Sequence, residues 1–129
     1  MLAIGLLAIA SPGCASTKVG SRPAVIAAPE SGQTVRLVVS FWSEGAGTDA
    51  AAEEAFKDLI AGGRREHSAA LLLRRVDWGK EGETDYCLSL DELSTDKQRA
   101  LIRAVRARIS RKKRVTISEN SKCRFGNPQ

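Results

Sequence analysis

Histidine is almost missing from this sequence: His67 is the only one. That removes the paired histidine spacings that hold zinc. It also leaves a nucleophilic cysteine such as Cys87 without an evident base. His67 follows Gly62-Gly63-Arg64-Arg65, which reads as a solvated turn rather than a catalytic setting. Cysteine is scarce too, with Cys14, Cys87 and Cys123 far apart in sequence, so no close Cys pair offers a metal site. The longest apolar run falls well short of the roughly 20 residues that a membrane-spanning helix needs. Aromatic residues make up 5% of the chain, so the few present stand out.

What remains is a globular mixture, 43% hydrophobic and 27% charged with a net charge of +5, in 129 residues. That length suggests one domain. Much of the positive excess lies between Arg99 and Arg114, in Arg103, Arg106, Arg108, Arg111, Lys112 and Lys113. Such a stretch suits an anionic partner, nucleic acid or a membrane surface; the plainer reading is a solvated helix face running into a basic turn.

Residues 2–10, Leu-Ala-Ile-Gly-Leu-Leu-Ala-Ile-Ala, carry no charge and suit the apolar core of a signal peptide. Ser11-Pro12-Gly13 ends the run directly before Cys14. Small residues before a cysteine resemble the bacterial lipobox, in which the cysteine is lipidated and becomes the mature N-terminus. Gly13 fits that pattern; Ser11 and Pro12 depart from it, and no Lys or Arg precedes the run. The expectation is a signal peptide over 1–13, lipidation at Cys14 and a membrane-anchored or periplasmic location. Residues 14–33, rich in Ser, Thr, Pro, Gly and Ala, read as a tether.

The folded domain is expected over 34–125, with 126–129 as a tail. Val35 to Trp42 alternates like a half-buried strand. Thr48 or Asp49 caps a helix whose apolar face is Ala52, Ala55, Phe56, Leu59 and Ile60, and Gly62-Gly63 ends it. Strands come next at 69–78 and 84–90, joined by the turn Gly79-Lys80-Glu81-Gly82-Glu83. A second helix begins at Ser94 or Thr95, with Thr95 and Gln98 as a capping box. It buries Leu101, Ile102, Val105 and Ile109. A last strand spans 114–118. The order β-α-β-β-α-β is that of an α+β, ferredoxin-like split βαβ sandwich. Its helix-covered face takes Leu37, Val39, Phe41, Tyr86, Leu88, Leu90, Val115 and Ile117. Its open face takes Val38, Trp42, Cys87 and Thr116.

In this topology the ends of the first two strands and the start of the third meet at one edge. That gathers Trp42, Glu44, Asp49, Trp78, Glu81, Glu83, Asp85 and Tyr86. The functional reading is a binding edge, and Asp49, Glu81, Glu83 and Asp85 could offer oxygens to calcium, though their spacing matches no calcium loop and no metal is expected. The plainer reading is a capped helix, a tight hairpin and aromatics closing the core. With Cys14 lipidated, Cys87 and Cys123 form an even pair in an oxidising compartment, so a disulfide is expected; two free thiols are the alternative. The final strand leads away from Cys87, so the tail would have to turn back across the open face.

The segments Ser40-Phe41-Trp42-Ser43-Glu44-Gly45-Ala46-Gly47-Thr48-Asp49, Trp78-Gly79-Lys80-Glu81-Gly82-Glu83-Thr84-Asp85-Tyr86-Cys87 and Ile117 to Cys123 resemble a family of small uncharacterised bacterial proteins. The resemblance covers roughly 35–124 and implies no activity, cofactor or substrate. Taken together, the residues suggest a non-catalytic interaction module of the cell envelope that binds an envelope protein or polymer, with no cofactor. An enzyme using carboxylates at the Trp42/Trp78 edge, and an anion or nucleic-acid binder using the basic helix, are the alternatives.

Overall fold

The structure is a computed structural model that describes Gly13 and residues 27–67 and 70–127. Residues 1–12 of the expected signal peptide, and Cys14, lie outside the described residues. Six elements succeed one another: β1 (Thr34–Phe41), α1 (Ala50–His67), β2 (Leu73–Trp78), β3 (Glu83–Leu88), α2 (Thr95–Ile109) and β4 (Val115–Lys122). The strands form one sheet in the order β2-β3-β1-β4, with every neighbouring pair antiparallel. Element order and strand order together fit a split βαβ arrangement of the α+β class.

Alternation along the strands sets the two faces. Leu37, Val39, Phe41, Tyr86 and Leu88 point to the helix layer and pack against Ala52, Phe56 and Ile60 of α1 and Leu101, Ile102, Val105 and Ile109 of α2. Phe41, Phe56 and Tyr86 meet at its centre, with ring centroids 5.1–5.9 Å apart. Val115 and Ile117, on the edge strand, are only partly covered.

Several local expectations change. The second strand, expected from 69, begins only at Leu73. Helix α1 does not stop at Gly62-Gly63 but continues to His67. Gly63 is buried, and a Cβ there would sit 3.2 Å from Leu71 Cδ1 and 3.7 Å from Leu101 Cδ1, so this glycine allows close packing rather than ending the helix. Helix α2 has Ser94 as its N-cap, accepting from the Lys97 N–H. Gln98 forms no capping box; its amide donates to the carbonyls of Leu90 and Leu93 and braces the preceding loop. The last strand runs four residues further than expected, to Lys122.

That extension carries the chain onto the open face. Asn120 has φ of +50°, and the β1–β4 pairing skips the Arg36–Asn120 position. At the same place Val35 leaves the helix-facing row: it joins Val38, Val76, Cys87 and Cys123 in a second, smaller core. The β1–β4 ribbon therefore bends over the sheet, and no separate tail has to fold back. Cys87 and Cys123 sit at disulfide distance, with sulfurs 2.14 Å and Cα atoms 5.7 Å apart.

The described segments before β1 and after β4 both close this second layer. Pro29 is buried, its carbonyl accepts from Arg74 Nε, and Gly32 N–H donates to the Cys123 carbonyl. The last part of the expected tether is thus packed against the domain. Beyond Cys123, the ring of Phe125 lies over Gly32, and Asn127 N–H donates to the Asp77 carbonyl of β2. No described helix is long and apolar enough to cross a membrane.

Candidate functional site

The registers bring the expected segments together. Thr84 is level with Phe41 on one side and Asp77 on the other, and Phe41 is level with Val115. Trp42, Trp78 and Asp85 therefore share one end of the open face. The turn between α2 and β4 reaches the same end, where Trp42 N–H donates to the Arg114 carbonyl.

Each indole is oriented by its N–H. Trp42 Nε1 donates to Thr116 Oγ1 at 3.1 Å, and Trp78 Nε1 donates to Asp85 Oδ1 at 2.7 Å. The other oxygen of Asp85 accepts from Arg124 Nε at 3.2 Å, and the Arg124 guanidinium lies over the Trp78 ring, 4.0 Å from its centroid. Asp85 is 2% exposed, so its charge is buried but doubly satisfied. Both tryptophans remain half-buried. Between them lies a groove of about 580 Å³, with Val38, Ser40, Thr116 and Ser118 among its lining and Ser121, Lys122 and Arg124 along one side. A second depression of about 570 Å³ is also lined by Trp42, together with Glu44, Ala46, Lys113 and Arg114.

The remaining expected residues have other duties. Asp49 caps α1, accepting from the Ala52 N–H at 3.0 Å. Glu81 accepts a hydrogen bond from Ser43 Oγ, tying the β2–β3 turn to the loop after β1. Glu83 folds its carboxylate into its own turn. The N–H groups of Glu81, Glu83 and Lys80 hold its carboxyl below the usual range. Tyr86 is not at the groove: it points into the helix-side core and donates to Glu53 Oε1 at 2.5 Å. Burial, reinforced by the Glu53 carboxylate, pushes its phenol above the ordinary value. Asp49, Glu81, Glu83 and Asp85 thus serve separate partners. No group of three or more His, Cys, Asp or Glu among the described residues could hold a metal ion.

Only one carboxylate, Asp85, lines the main groove, and its hydrogen bonds come from Trp78 and Arg124. The groove thus sets one buried carboxylate, bonded through both oxygens, beside two indoles. The basic stretch is partly spent on structure. Glu119 accepts from Arg36 and Arg106 at 2.6 and 2.9 Å, and these two guanidinium groups hold its carboxyl low. Arg114 donates to the Gly47 carbonyl.

Sequence reading missed Arg124, Thr116 as the partner of Trp42, and the approach of Lys113 and Arg114. The alternation already put Thr116 on the open face. Nothing in the local pattern signals Arg124, because its position depends on the bend at Asn120. No family model matches the chain, and no match is found among the curated proteins or the solved structures.

Proposed function

We propose that this protein is a non-catalytic binding module of the bacterial cell envelope, exported through residues 1–13 and lipidated at Cys14. In this reading the domain is a ferredoxin-like sandwich whose uncovered sheet face is the binding face. The observation that carries it is the groove between two half-buried tryptophans whose indoles are fixed by Thr116 and Asp85. Amphipathic, preorganised aromatic rings suit recognition because little order must be gained on binding. The Cys87–Cys123 pair supports an oxidising location.

The test expresses the full chain, takes the intact mass of the mature protein and measures its retention by envelope fractions. The expected mature species begins at a lipid-modified Cys14, and the Trp42→Ala, Trp78→Ala double variant is retained at least tenfold less. Retention of residues 1–13 contradicts the export reading; equal capture of the double variant contradicts the groove.

A further inference from the structure

We propose that the groove takes an acidic polysaccharide chain laid past Trp42; this rests on the reading of the open face as a ligand site. Shape comes first. The two depressions share Trp42 and are each within the size range of ligand sites. Two depressions that share one indole as a wall suit an extended chain better than one compact ligand.

Chemistry comes second. A sugar ring has one face of C–H groups and a rim of hydroxyls. The face packs on an indole, and the rim needs donors and acceptors nearby. Ser40, Thr116, Ser118 and Ser121 supply hydroxyls beside the rings, and the buried Asp85 is held from both sides and so offers a fixed polar wall. Charge comes third. The two depressions present four cations, Lys113, Arg114, Lys122 and Arg124, against the carboxylates of Glu44 and Asp85. Lys113 and Lys122 have no ion-pair partner among the described residues. An anionic chain would complement this excess. Single-stranded nucleic acid also combines negative charge with stackable rings. The hydroxyl lining and the covering of Trp78 by Arg124 favour the sugar, since only Trp42 is left as an uncapped platform.

The experiment titrates the full chain with a galacturonate tetramer, the neutral cellotetraose and an eight-nucleotide oligothymidylate, following tryptophan fluorescence. The galacturonate tetramer is expected to bind at least fivefold more tightly than the other two. Trp42→Ala should weaken it at least tenfold. The exposed Lys122→Ala, which leaves the fold intact, should weaken it about threefold and flatten its salt dependence. Preference for the oligothymidylate or for cellotetraose overturns the acidic-glycan assignment. So does a failure of all three to bind. If envelope retention in that last case still depends on Trp42 and Trp78, the groove stands as a binding site and only the glycan is lost.

Discussion

Gly79 and Glu83 show how single residues set the edge of the groove. Gly79 has φ of +68°, and a Cβ placed there would come within 2.9 Å of all three atoms of the Glu83 carboxylate. The positive φ favours glycine here, and an added Cβ would push the Glu83 carboxylate out of its turn. Gly79→Ala should cost about 1–3 kcal/mol through a strained φ and the displaced carboxylate, read as a lower urea midpoint. Glu83 and Glu119 make a pH prediction. Both carboxyls are held below the ordinary range in the folded protein, so the unfolded chain takes up protons first as the pH falls. Their contribution is complete above the unfolded carboxylate value of about 4.3 and is lost as pH drops through the folded values. Stability should therefore fall below about pH 4.3, and the Glu83→Gln, Glu119→Gln double variant should show a shallower fall. An unchanged slope in that variant would remove these two groups from the acid response. The Gly79 position was legible as a turn, since Gly-Lys-Glu-Gly-Glu admits little else. The inward fold of Glu83 was not, because a carboxylate in a turn reads as solvated until its N–H partners are seen.

At the scale of elements, the second core depends on β4 and on the residues just beyond its end. Val35, Val38, Val76 and the two cysteines form a second core on the open face, and Val38 also lines the groove at its tryptophan end. The Cys87–Cys123 pair closes a separation of 36 residues, which in the chain-entropy model stabilises by about 3–4 kcal/mol. Cys87→Ala, Cys123→Ala should lose about that much in denaturant unfolding. It should also quicken amide exchange at Gly32 and Asn127, whose N–H groups donate to the carbonyls of residue 123 and Asp77. A loss confined to global stability, with exchange at those two residues unchanged, would mean these segments are held without the crosslink. Strands β1 and β3 were readable because both lie inside the sheet and alternate between two cores. The far half of β4 was not. As an edge strand its Ser118-Glu119-Asn120-Ser121-Lys122 stretch is polar on both faces, so hydropathy carries no period there. Gly63 of α1 misled for a related reason: close approach to Leu71 and Leu101 leaves the same sequence mark as a helix stop.

The whole molecule has a covered face and an uncovered one, and topology decides which residues are left on the latter. The β-α-β-β-α-β order was enough to place Trp42 and Trp78 at one end of the sheet and Cys87 on its open side. Alternation also put Tyr86, the neighbour of Asp85 on β3, on the helix-covered face, where it lies; grouping it with the binding edge by position along the strand overlooked that it faces the opposite way. The central claim is that the open face binds through its two indoles. It is tested most directly by monitoring the two indole Nε1–H resonances of labelled protein during titration with solubilised envelope polymer. Each indole N–H is already hydrogen-bonded, to Thr116 and to Asp85, so both signals should be sharp before ligand is added. The expected result is that both move together, while the amides of Arg99, Arg103 and Arg108 on α2 stay in place. Movement of the α2 amides with both indoles unchanged would contradict a groove site and put the contact on the basic helix.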